Sequence, residues 1–190
     1  MSASAPLAPR LPSLPPGQLS DAQAAIYDGI ARGPRAQGPQ HFALTNADGS
    51  LTGPFNALLH APGVGEAVQR LGAAVRYETV FTPRARELAI LIVAAHWDST
   101  FEIMAHEAVG RAVGVTDDEL SAVRAGELPE LADPVEAAVA GLAHAMTRGD
   151  VSDDEWARWA GVLGDQAVVE LSTLVGYYAL LALQLRVFRV

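Results

Sequence analysis

The clearest pattern in the chain is an unbroken apolar run from Leu88 to Ala95, with polar residues gathered at its two ends. A helix that is hydrophobic on every side is buried on every side. This run therefore predicts a central helix from Thr82-Pro83 to Trp97, with proline at the favoured first position. Arg84, Arg86 and Glu87 fall at its start, and His96 and Asp98 at its finish. Other helix starts are marked by capping boxes, in which an oxygen-bearing side chain accepts from free amides while a Glu or Gln three residues later reaches back. Ser20-Asp21-Ala22-Gln23 opens a helix to about Ala31, and Ser99-Thr100-Phe101-Glu102 opens one to about Gly114. Thr116 to Glu119 opens a short one that stops near Gly126. Asp133-Pro134-Val135-Glu136 opens one ending near Gly149, and Ser152 to Glu155 begins the next. A further helix is expected from Gly63 to about Glu78.

Between Arg32 and Pro62 the pattern breaks. Gly33, Pro34, Gly38, Pro39, Gly49, Gly53 and Pro54 punctuate it, Asn46-Ala47-Asp48-Gly49 reads as a turn, and a short helical piece fits Phe55 to His60. With no sustained alternation and no β-branched clusters of strand length, the fold class is all-α. The organisation expected is a proline-rich arm over residues 1–18 (Pro6, Pro9, Pro12, Pro15, Pro16) and a single helical domain over 19–190. The arm should be extended and mobile unless it packs on a neighbouring subunit.

Composition sharpens this picture. Hydrophobic residues make up 50% of the 190 and charged residues 18%, so much apolar surface must be hidden, in part between subunits. The balance of 13 Lys+Arg against 22 Asp+Glu, a formal charge of −9, repels phosphate backbones, so no nucleic-acid partner is expected. The chain has no cysteine, which excludes disulfides, thiol nucleophiles and thiolate metal sites and fits a cytoplasmic location. Met1 to Gly17 does not read as a signal peptide. The apolar stretch from Ala167 to Leu185 is long enough to raise the question of a membrane span. Glu170, Ser172, Thr173 and Gln184 interrupt it, so a core or interface helix is expected and no membrane partner.

Chemistry concentrates in the pair of helices from residue 82 to 114. Glu102 and His106 lie four apart and therefore on one helix face, continued by Val109, Gly110 and Val113. In partly apolar surroundings desolvation raises a carboxylate's pKa and lowers that of a histidine, while an ionised partner opposes each shift. Such a pair can share a proton near neutrality. Plainer readings stand beside this one. Glu102 is explained as the capping-box residue of its own helix, His106 as an ordinary histidine, and Glu87 as a solvated residue or partner of Arg84 or Arg86. One carboxylate and one imidazole make an incomplete ligand set, so no metal is expected. On the C-terminal helix, Glu170 wants a structural partner and Tyr177-Tyr178 lie on an apolar face. Trp156 and Trp159 are expected to pack.

The runs Arg84-Ala-Arg-Glu-Leu-Ala-Ile-Leu-Ile-Val-Ala-Ala-His96, Phe101-Glu-Ile-Met-Ala-His106 and Gly114-Val-Thr-Asp-Asp-Glu-Leu120 resemble the carboxymuconolactone decarboxylase family. Its superfamily also holds the alkylhydroperoxidase D-like proteins. The resemblance covers about residues 63–128 and extends more loosely over most of the chain. In the peroxidase branch a Cys-x-x-Cys precedes a histidine, with a glutamate on the preceding helix. Carried over, the cysteine positions are Ser99 and Glu102, the histidine is His106 and the glutamate Glu87. Without thiols, peroxide reduction by that route is impossible, and the proton relay is what survives. The decarboxylase branch needs no cofactor. Loss of carbon dioxide leaves an enolate-like species that a nearby acid must protonate. The resemblance thus implies His106, Glu102 and Glu87 as catalytic residues.

Substrate contacts are expected from Arg86, His96, Ser99, His60 and Asn56. Arg86 either holds a substrate carboxylate or forms a structural ion pair. The long loop through His41, Phe42, Phe55, Asn56 and His60 is expected to cover the pocket. The family is typically trimeric or hexameric, which implies a homo-oligomer. The leading reading is a cofactor-independent lyase or decarboxylase acting on a small carboxylated or lactone-like molecule. The rival is a non-catalytic binding or assembly protein that has lost the redox pair.

Overall fold

The structure, a computed structural model, describes residues 8–37 and 40–190. Pro6, Gly38 and Pro39, which the sequence reading placed in the arm and the loop, lie outside those residues. Among the described residues there are nine α-helices and no strand, only an isolated bridge between Thr45 and Leu51. The helices are α1 (Asp21–Ala31), α2 (Phe55–Leu59), α3 (Pro62–Tyr77), α4 (Pro83–His96), α5 (Thr100–Ala112), α6 (Asp117–Arg124), α7 (Pro134–Thr147), α8 (Asp153–Leu163) and α9 (Asp165–Phe188). The all-α class is confirmed, and each expected helix is present within a few residues of its expected ends.

The contacts divide the chain into two compact units, Met1–Gln69 with Leu183–Val190, and Arg70–Ala182. In the first, Ile26, Tyr27 and Ile30 of α1 pack on Leu51, Phe55, Leu58 and Leu59, with Phe42 and Leu44 partly buried against them. The expected turn forms: Gly49, at φ 82°, donates its N–H to the Asn46 carbonyl at 3.0 Å. The Tyr27 hydroxyl donates to the Gly49 carbonyl at 2.8 Å. The described part of the proline-rich arm is tied down within this unit rather than loose. Pro12 lacks a donor but offers its carbonyl, which Asn56 Nδ2 and His60 Nε2 both reach at 3.0 Å. Leu14 N donates to Asn56 Oδ1, and Arg10 N to the Phe188 carbonyl.

The second unit is built around α4, whose Leu88 to Ala94 are all buried, as the apolar run requires. It packs most extensively on α7 and α5. Arg84 in its first turn bridges Glu119 and Glu136, in the first turns of α6 and α7, and donates Nε–H to the Gly114 carbonyl at 3.1 Å. At the opposite end Ile92, His96, Val123, Arg124, His144 and Thr147 line one open cleft of about 310 Å³. Helices α4, α6 and α7 therefore run in the same direction.

Trp159 of α8 lies so close to α7 that a Cβ on Gly141 would sit 2.5 Å from its ring, which explains the glycine. Trp156, expected to pack as well, is half exposed. Glu170 finds its structural partners, accepting from Val80 N at 2.8 Å and Gln166 Nε2 at 2.9 Å. Helix α9 is the one described helix long and apolar enough to cross a membrane, yet half of its apolar window is buried inside the fold.

The connection from α4 to α5 sets the stage for the site. Trp97 caps α4, Asp98 adopts a left-handed conformation at φ 49°, and Ser99 N donates to the Ala94 carbonyl at 2.9 Å. Asp98 N donates to the Ala95 carbonyl at 3.0 Å. This is a Schellman ending, with aspartate tolerating the positive φ that usually calls for glycine. It folds α5 back along α4 as a tight hairpin.

Candidate active site

The hairpin brings four polar side chains into the interior of the second unit. Glu87 is 0% exposed, Glu102 2%, His106 6% and Ser99 7%. Glu87 sits in the second turn of α4 and His106 in the second turn of α5. Their side chains meet, with His106 Nδ1 2.6 Å from Glu87 Oε2. Burial alone would push the Glu87 pKa up, but His106, Arg76 and Arg86 outweigh it and hold the carboxyl below its ordinary value. Glu87 is thus an ionised acceptor, so His106 carries its proton on Nδ1 and leaves Nε2 for other work.

The along-helix pair expected between Glu102 and His106 is replaced by a pair across the hairpin. The capping-box reading of Glu102 also fails, for a specific reason. The Ser99 N–H that would answer Glu102 is already donated to Ala94, the Ser99 side chain makes no cap, and neither Glu102 carboxylate oxygen has a hydrogen-bond partner. Burial pushes the Glu102 pKa up to about 7. A weak contact with the Ser99 hydroxyl opposes that shift, although neither the hydroxyl nor the carboxyl oxygens make a well-formed hydrogen bond.

Two residues that the sequence reading did not place at the site, Tyr178 and Arg76, complete the surroundings. Tyr178 of α9 stands edge-on to the His106 ring, at 5.2 Å between centroids and 87° between planes. Tyr177 meets Tyr178 in the same way at 5.3 Å. Burial works against the charge on Arg76 of α3, but Tyr178 and Glu87 outweigh it and hold the guanidinium more firmly charged. For Arg86 the balance is reversed: desolvation prevails over the attraction of Glu87 and lowers its pKa. Its Nε has no hydrogen-bond partner. Arg76 and Tyr178 are distant in sequence from the hairpin, and no local pattern marks them.

Of the remaining expected contacts, His96 faces another side of α4. His96 is nine residues beyond Glu87, which at about 100° per residue is half a turn round α4. It is exposed and lines the cleft with His144, whose pKa is lowered by burial and then by Arg148 and His96. Asn56 and His60 belong to the first unit, where they hold the Pro12 carbonyl. Among the described residues no group of three or more His, Asp or Glu is arranged to hold a metal.

Fold and site together define the class: an all-α protein whose helical hairpin buries a carboxylate–imidazole pair beside an unpartnered carboxyl group. Residues 62–145 match the model of the carboxymuconolactone decarboxylase family. The match spans α3 to nearly the end of α7 and contains Arg76, Glu87, Ser99, Glu102 and His106. No curated protein matches the chain.

Proposed function

We propose that the chain is a cofactor-independent acid/base enzyme, a lyase or decarboxylase acting on a small carboxylated or lactone-like molecule. The observation that carries this reading is the buried 2.6 Å contact between His106 and an ionised Glu87. A carboxylate that fixes one imidazole nitrogen sets the tautomer and stabilises the imidazolium whenever the other nitrogen takes a proton. In a decarboxylation the carbon–carbon bond to the leaving carboxylate breaks. Its electron pair passes into the conjugated carbonyl, carbon dioxide departs, and His106 Nε2, which has first taken up a proton from solvent, delivers that proton to carbon. His106 is the acid/base, Glu87 the residue that positions it, and Arg86, with its free Nε, the group that holds a carboxylate of the substrate. The family match of residues 62–145 supports the same chemistry.

The test is steady-state turnover of 4-carboxymuconolactone by wild type and His106→Ala. A loss of about 10²–10⁴-fold in kcat is expected for the variant, the range for removing a general acid/base. Equal turnover by the two proteins, or none by either, contradicts the proposal.

A further inference from the structure

Ser99 and Glu102 lie three residues apart, at the entry and first turn of α5, one turn before His106. Both are more than nine-tenths buried, and none of their three side-chain oxygens has a hydrogen-bond partner. A buried polar atom left this way is destabilising by about 1–3 kcal/mol. Native proteins keep few of them, and those they keep call for a partner that the chain itself does not supply. Helix α5 is also a full thirteen-residue helix, and its N-terminal amides favour negative charge developing near that end.

The polar groups around His106 thus fall into two kinds. Toward Glu87 they are cationic, Arg76 and Arg86. Toward the start of α5 they are a hydroxyl and a carboxyl group. Burial raises the pKa of that carboxyl to about 7, so up to neutral pH much of it keeps an O–H that an ordinary glutamate has lost.

We infer that Ser99 and Glu102 form the oxygen-binding end of the site, two neutral donors that grip a substrate carbonyl oxygen as it becomes negative. This rests on the acid/base reading proposed above and narrows it. The substrate is an enolisable carbonyl compound, a lactone or an oxo acid, in which the bond that breaks is conjugated to the gripped oxygen. When that bond breaks, the electron pair moves onto the carbonyl oxygen, Ser99 and Glu102 donate hydrogen bonds and keep their own protons, and His106 supplies the proton that carbon receives. Preorganised donors of this kind stabilise the charge where it forms.

The experiment is a binding series with 4-nitrophenol, whose phenolate oxygen mimics an enolate and whose absorbance reports its ionisation. Wild type, Glu102→Gln, Glu102→Ala and Ser99→Ala are titrated as full chains, each first checked by thermal unfolding. Wild type is expected to bind the phenolate. Glu102→Gln retains a neutral donor and should stay within about threefold in Kd, whereas Glu102→Ala and Ser99→Ala should weaken binding about tenfold or more. Absence of phenolate binding by wild type at millimolar probe overturns the inference. So does equal affinity in the alanine variants with only a change in Tm, the mark of a purely structural pair. A loss in Glu102→Gln as large as in Glu102→Ala overturns it too, since Glu102 would then have to give up its proton. Failure of the His106 relay appears separately, as unchanged turnover by His106→Ala.

Discussion

Two clusters of charge sit three residues apart on α4. Arg84 joins Glu119, Glu136 and the Gly114 carbonyl, all at a partly exposed junction where each charge has a partner. Glu87 joins His106 in the interior, one of its own oxygens is unpartnered, and the buried Ser99 and Glu102 side chains of α5 make no well-formed hydrogen bond. The first arrangement is complete as it stands: it locks the starts of three parallel helices together. The second is incomplete as it stands, and a folded chain tolerates buried incompleteness mainly where chemistry needs it. Completeness of hydrogen bonding, more than the presence of charge, separates the structural cluster from the one proposed to be functional.

The largest effect that can break this contrast is expected at Glu87. Glu87→Gln removes the charge that fixes the His106 tautomer, and kcat should fall on the order of a hundredfold or more, with a changed kcat–pH profile. Glu87→Asp should recover part of both. A Glu87→Gln enzyme with the wild-type profile would reduce the pair to packing.

The next effect is on stability and is read at Glu102. Its folded pKa of about 7 lies above the ordinary 4.5 of the unfolded chain. Between those values the folded state holds a proton that the unfolded state has released, so stability falls as pH rises through that window. The full difference is about 3 kcal/mol. Glu102→Gln should therefore be more stable than wild type at pH 8 by up to about 3 kcal/mol in urea unfolding, and the gain should vanish near pH 4. A pH-independent difference would mean that Glu102 is not held neutral by burial.

Arg84 gives the smallest effect and the opposite kind. Arg84→Met leaves Glu119 and Glu136 facing each other without their cation, and unfolding stability should drop by about 1–3 kcal/mol while kcat stays within about twofold. A large loss of kcat in a well-folded Arg84→Met protein would erase the distinction between the clusters.

Most of the fold was legible because local chemistry agrees with it. Ser20, Thr116 and Ser152 form the capping boxes their sequences announce, and Thr82 and Asp133 cap the helices that Pro83 and Pro134 begin. At Ser99 the same signature misled, because the Schellman ending of α4 takes the amide that the box requires. The identities of the site residues were legible, but their pairing was not. Spacing of four along one helix suggested Glu102 for His106, whereas the tight bend at Asp98 brings Glu87 across the hairpin. Arg76 and Tyr178 reach the site only through packing of α3 and α9, which no local pattern encodes. His96 shows the converse: close to Glu87 in sequence, it is carried by helical rotation to another surface.

The proposed chemistry depends on an ionised, buried Glu87 that holds His106 in one tautomer, with Nε2 left free to exchange protons. Imidazole ¹⁵N NMR of the labelled protein at neutral pH tests it most directly. A His106 Nδ1–H proton shifted strongly downfield by a short hydrogen bond, and lost in Glu87→Ala, is expected. A His106 protonated on Nε2, or a spectrum that Glu87→Ala leaves unchanged, would contradict it.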